Sequence, residues 1–184
     1  MLIDTRLVIF LLVFFAPAIA FAQTDRRVEA IRKLCQKIDA DIARSEQEPE
    51  YSNIYLTELA VNKGNGSYPA VGIYRPVVKF YYTYGDREKE PYPNRLLKIV
   101  VAIDRSNRKE YEEYVFNEAE QLVFYFDKKD DVERRVYFAG ERLIRLQEGE
   151  RVISRLTKSQ TEAVASVLKE KARLVTIFRN SLQF

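Results

Sequence analysis

The spacing of apolar residues along the chain changes twice. From Thr24 to about Glu46, Val28, Ile31, Leu34, Ile38 and Ile42 recur at intervals of three and four, which predicts an amphipathic helix with one buried stripe. Arg26, Arg27, Arg32, Lys33 and Lys37 fall largely off that stripe, Thr24 or Asp25 can cap its start, and Pro49 marks its exit. From Ser52 onward the alternation becomes that of strands. All twelve tyrosines lie between Tyr51 and Tyr137, and aromatic residues favour pleated, half-buried surfaces. Extended segments are predicted at Ser52–Val61, within Pro69–Tyr84, at Leu96–Ile103, around Tyr114–Phe116, at Leu122–Asp127, around Arg135–Phe138 and at Leu143–Leu146. Short polar turns join most of them, so consecutive antiparallel strands are the natural topology. Pro76 has no N–H for a ladder and marks an edge, a bulge or a break. From about Gln160 to Leu182 the helical period returns, with Val164, Val167, Leu168, Leu174, Val175, Phe178 and Leu182 on one stripe and Ser159–Glu162 as a capping box.

These elements define an α+β fold: an antiparallel β-meander of about six to seven strands with an N-terminal and a C-terminal amphipathic helix packed on one face. Strand alternation assigns Leu97, Ile99, Phe116, Phe124 and Phe138 to the face beneath the helices. The opposite face then carries Lys98, Tyr111, Glu113, Tyr125, Arg135, Tyr137 and Arg145. Tyrosine and arginine dominate binding hot spots because they combine rigid area with a polar tip or a forked donor, and these seven residues are the candidate ligand-binding surface. The same residues also stabilise solvent-facing sheets through cross-strand pairs, and a one-residue slip of register would exchange the two faces. The stretch Gly85–Asn94, with charges and two prolines, reads as a long loop that can contribute to binding.

The N-terminus changes the picture of where such a surface works. Leu7–Ala16 is a continuous apolar run behind Arg6, Pro17 interrupts it, and Ala20-Phe21-Ala22 fits the small-x-small cleavage rule of an export signal. Residues 1–22 are therefore expected to be a signal peptide, with 23–184 as a single exported domain, periplasmic or secreted. The remaining 162 residues suffice for one hydrophobic core. Membrane contact is expected only through the apolar run, if it stays uncleaved.

Charge and chemistry narrow the function classes. The net charge is +3, with acids and bases interspersed, which gives no concentrated basic face for nucleic acid. Cys35 is the single cysteine, so no intramolecular disulfide can form, and its place beside Leu34 suits a small buried hydrophobe. The chain has no histidine. That removes the usual general base, the Ser-His and Cys-His nucleophile pairs and the commonest transition-metal ligand. No glycine-rich phosphate loop is present, and no cofactor is expected. Acid pairs such as Glu112-Glu113 and Asp130-Asp131 could serve a carboxylate-dependent hydrolase or hold a calcium ion, but adjacent strand residues such as Glu112 and Glu113 point to opposite faces, and Asp130-Asp131 lies in a turn beside Lys128 and Lys129. The sequence thus favours a non-catalytic binding or interaction protein of the bacterial envelope or exterior, with a protein or glycan partner. The alternatives are a carboxylate-dependent hydrolase and an accessory subunit of an envelope assembly.

Overall fold

The computed structural model describes residues 5–64, 66–69, 72–84, 93–129 and 131–182, and of residues 5–22 and 93–94 the backbone alone. Helix α1 runs from Thr5 to Gln47, and a 3-10 turn at Pro49–Tyr51 leads into the sheet. Eight strands follow: β1 (Ile54–Ala60), β2 (Tyr74–Tyr84), β3 (Pro93–Arg105), β4 (Lys109–Phe116), β5 (Leu122–Lys129), β6 (Val132–Ala139), β7 (Arg142–Glu148) and β8 (Arg151–Ile153). Helix α2, Lys158–Ser181, closes the described chain. Every strand pairs antiparallel with its neighbours in sequence, so the sheet order is β1 to β8 without a crossover. The meander agrees with the sequence reading, with eight strands rather than six to seven, and a helix stands at each end; α1, however, begins at Thr5 rather than at Thr24, so Thr24 and Asp25 lie inside the helix and do not cap it. Strand β8 is three residues long, too short for its alternation to stand out. The capping box of α2 is built by Thr157 and Gln160, two residues before the predicted Ser159–Glu162 pair: Gln160 N donates to Thr157 Oγ1 at 3.2 Å and Thr157 N donates back to Gln160 Oε1 at 3.0 Å. Pro76 sits inside β2, one position beyond the last β1 partner, Val77, and its carbonyl accepts a hydrogen bond from Val61 at 3.0 Å.

The two helices lie on opposite faces of the sheet, not on one. Val28, Ile31, Ile38 and Ile42 of α1 pack with Tyr81, Leu97, Val115, Val123 and Tyr137. Val167, Leu174 and Phe178 of α2 pack with Phe80, Ile99, Tyr114, Phe116, Leu122, Val136, Phe138 and Leu146 on the other side. The architecture is therefore helix, sheet, helix, with two cores separated by one sheet. Both faces need apolar side chains, which explains the unbroken apolar runs Leu96-Leu97, Val115-Phe116, Leu122-Val123 and Leu143-Ile144.

Of four register shifts among the described residues of the sheet, three decide which residue faces which helix. Between β2 and β3 the pairing steps from Tyr81–Lys98 to Tyr82–Leu96 and skips Leu97. Between β4 and β5 it skips Val123, and between β6 and β7 it skips Ile144. Each extra residue turns its side chain into the α1 core. A bulge reverses the inward–outward alternation downstream of it. Leu97 and Phe124, assigned from alternation to the same layer as Ile99, Phe116 and Phe138, accordingly lie under α1.

Among the described residues no helix is long and apolar enough to cross a membrane. The side chains of the apolar run 7–22 and of the expected cleavage site lie outside the described residues, as do the acid Asp130 and positions 85–92 of the long loop.

Candidate functional site

The predicted Tyr/Arg face is present, but α1 lies across it. The cross-strand row Tyr81, Lys98, Val115, Phe124, Tyr137 and Arg145 runs directly beneath the helix. Lys98 is only 6% exposed and Tyr137 only 2%. These two are interior residues, not the solvent-facing contacts expected from alternation. Tyr125 is on the wrong face altogether: the bulge at Val123 turns it into the α2 core, where its ring meets Tyr114 edge-on at 4.9 Å. Its hydroxyl donates to Asp127 at 3.0 Å, and Arg134 also binds that carboxylate. Burial first, then the neighbouring acids Glu112 and Asp127, holds the Tyr125 hydroxyl well above the usual phenol range. Arg145 lies at the far end of the row, where its guanidinium binds Asp25 of α1.

Lys98, Tyr111, Glu113, Arg135 and Tyr137 do come together. Lys98 Nζ lies 2.8 Å from Asp39 of α1 and 2.9 Å from Glu113 of β4, and the Tyr111 hydroxyl donates to Glu113. One ammonium thus ties the helix to two strands. Burial works against the Lys98 charge, but hydrogen bonds to Asp39 and Glu113 outweigh it and leave the ammonium pKa raised. The Tyr111 hydroxyl is pushed up as well, by burial first and then by its bond to Glu113.

This cluster sits in a groove along one flank of α1. One cavity, of about 480 Å³, lies between Arg32, Cys35, Gln36 and Asp39 of the helix and Glu113, Phe124, Phe126, Arg135, Tyr137 and Gln147 of the sheet. A second, of about 420 Å³, continues from Asp39 along Ile42, Ala43 and Glu46, above Val77, Lys79, Val100, Ala102 and Tyr111. Asp39 lines both. The helix residues recur at helical spacing, so one edge of α1 forms a continuous wall. The floor mixes apolar and cationic surface, with the Arg135 guanidinium 5.2 Å above the Phe126 ring and its NH2 2.6 Å from Glu133. Arg32 reaches over the rim to donate to the Tyr137 hydroxyl at 3.3 Å. Phe126 lies two residues on from Phe124 and on the same side of β5; its role as groove floor follows from the bulge at Val123.

Cys35 faces this groove beside Asp39, Lys98 and Glu113. Burial, reinforced by Asp39, pushes its thiol up to about 12. At mild alkaline pH the native thiol is expected to react with a disulfide reagent on the order of a hundredfold more slowly than in denaturant, because the thiolate is the nucleophile. Stopped-flow thiol titration checks this, and a native rate within tenfold of the denatured one would contradict it. Among the described residues no three Cys, Asp or Glu side chains gather as a metal site. Asp39 and Glu113 share one ammonium, an ion cluster rather than an opposed acid and base across a scissile bond.

The fold and groove define an α+β domain of helix, eight-stranded meander and helix with an open cleft beside its N-terminal helix. No protein-family model, no curated protein and no solved structure matches the chain.

Proposed function

We propose that this is a non-catalytic binding protein of the bacterial envelope or exterior whose ligand lies in the groove beside α1. The observation that carries the reading is convergence: five of the seven residues singled out from sequence meet around one cleft, at Lys98, Tyr111, Glu113, Arg135 and Tyr137. Two adjoining cavities of about 420 and 480 Å³ match the size of known small-ligand clefts and suit an elongated occupant. The walls offer Arg32, Arg135 and Lys79 against Glu46, Asp39 and Glu113, over a floor of Val77, Val100 and Phe126. That mixture fits an amphipathic chain, a peptide segment or a glycan, better than a simple ion.

The test is binding to arrays of defined peptides and envelope glycans, comparing the wild type with a Phe126→Ala, Arg135→Ala double variant. Arg151→Ala in β8 serves as a control outside the groove. The double variant is expected to bind at least about tenfold more weakly, since it removes an aromatic anchor and its stacked cation. Equal binding by wild type and double variant to every retained ligand would remove the groove from consideration. Retention lost equally with Arg151→Ala would do the same.

A further inference from the structure

Among the described residues both edges of the sheet are open, and they are not alike. At the β8 end the edge is short: β8 covers only Leu146–Glu148 of β7, and the remaining outer rim of β7 carries Arg142, Arg145 and the bulged Ile144. Such charges and bulges are the devices by which sheets refuse further strands. At the other end, β1 has seven residues, an unbroken register with β2 and no proline or basic residue. Its one charge, Glu58, is held by Lys79 of β2 at 3.7 Å. Among the described residues, three exposed large apolar side chains lie at this end, Tyr51 at 87%, Leu56 at 46% and Val61 at 49%, against Val152 alone in β8. The connection from β1 to β2 does not supply a cover among the described residues. It is tied inward instead, with the Ile73 amide donating to Ser106 Oγ at 2.7 Å at the β3–β4 turn.

We propose that β1 is a self-association edge, at which two copies of this chain join antiparallel through β1 to make one continuous sheet. The reasoning for a second copy is its self-complementarity. A twofold axis that pairs two antiparallel edge strands stands perpendicular to the sheet, so the α1 side of one copy adjoins the α1 side of the other. Pairing Ile54 with Ala60 of the partner subunit then engages the whole strand. In that register Tyr55 faces Leu59 of the partner subunit, an aromatic–aliphatic pair, and Leu56 packs on the stem of the partner's Glu58. Thr57 meets its own copy on the axis. Sliding the pairing one way places Glu58 opposite the partner's Glu58, and sliding it the other way leaves Ala60 unpaired with the strand. This edge is independent of the groove, so failure of either reading leaves the other standing.

The test uses the full chain with Thr57→Cys in a Cys35→Ser background, treated with a short bis-maleimide. Val152→Cys in β8, in the same background, reports on the other edge. Thr57→Cys is expected to yield a cross-linked dimer and Val152→Cys little or none. In parallel, sedimentation of the wild type should show mass rising with concentration towards a dimer. Leu56→Lys, an exposed change that leaves the core intact, should weaken that association by about tenfold or more by placing a charge at the joined edge. A wild type that stays monomeric at every concentration overturns the proposal, as does cross-linking through Val152→Cys equal to that through Thr57→Cys. A mass rise unaffected by Leu56→Lys also overturns it, because the copies would then meet elsewhere.

Discussion

Replacing Phe178 with alanine is expected to lower unfolding stability by about 3–5 kcal/mol, the usual cost of emptying an aromatic core site. Phe178 lies in the last turns of α2 and is 3% exposed. Its ring stacks on Phe80 at 5.3 Å and meets Tyr82 at 5.1 Å, so it joins the helix to the middle of β2. Leu174 and Val167, one and three turns earlier, continue the seam, and Lys171–Glu141 at 2.5 Å and Arg179–Glu120 at 3.2 Å fasten its margins. Exposed ion pairs of that kind contribute little. The aromatic contact therefore carries the docking of the helix end. A domain of ordinary stability has only about 5–15 kcal/mol in hand, so the variant should show a large fall in urea midpoint by circular dichroism. Phe178→Leu, which keeps most of the volume, should cost far less. A loss below about 1 kcal/mol for Phe178→Ala would mean that the end of α2 frays in solution and that the core closes without it.

Seven of the eight strands were legible because aromatic and β-branched residues cluster between polar turns, and their order was legible because turns such as Asn117–Glu120 and Gly140-Glu141 are too short for anything but a hairpin. The side on which each helix lies was not. A strand buried on one face alternates, whereas one buried on both becomes a continuous apolar run. Leu122-Val123-Phe124-Tyr125-Phe126 is such a run, and it signals cover on both sides. Reading it as alternation around one covered face put Phe124 in the same layer as Phe116 and left Tyr125 as surface. The bulges hid the rest. Nothing in Leu97, Val123 or Ile144 individually marks an unpaired position, yet each shifts the parity of its strand. The candidate site was recovered in part for the same reason. Lys98, Tyr111, Glu113, Arg135 and Tyr137 remain on one face because the registers of β3 with β4 and of β5 with β6 are unbroken, while the bulge at Val123 carries Tyr125 to the other face.

Lys98→Met is the second large effect, expected at about 3–5 kcal/mol, the cost of removing one member of a buried ion pair and leaving the other charged. The asymmetry of its partners shapes the result. Glu113 is largely buried and, among the described residues, keeps only Tyr111 as a hydrogen-bond donor, whereas Asp39 is more than half exposed and can return to water. Asp39→Asn should therefore cost much less than Lys98→Met. The double variant Lys98→Met, Glu113→Leu should regain most of the loss, since an apolar pair of similar volume commonly replaces a buried ion pair without penalty. The pH dependence has a definite sign. The folded-state pKa of Lys98 is raised above its ordinary value of 10.5, so folding favours the protonated form. The Lys98 contribution is then fully present below the unfolded value and is lost as pH rises through the higher folded one. The stability gap between wild type and Lys98→Met should stay constant from neutrality to about pH 10 and narrow above it. Because Asp39 belongs to α1, hydrogen exchange should quicken in α1 of the Lys98→Met protein before it does in α2, which packs on the other face. Equal loss of protection in both helices, or a gap that narrows already near neutral pH, would show that Lys98 is not the tie between α1 and the sheet.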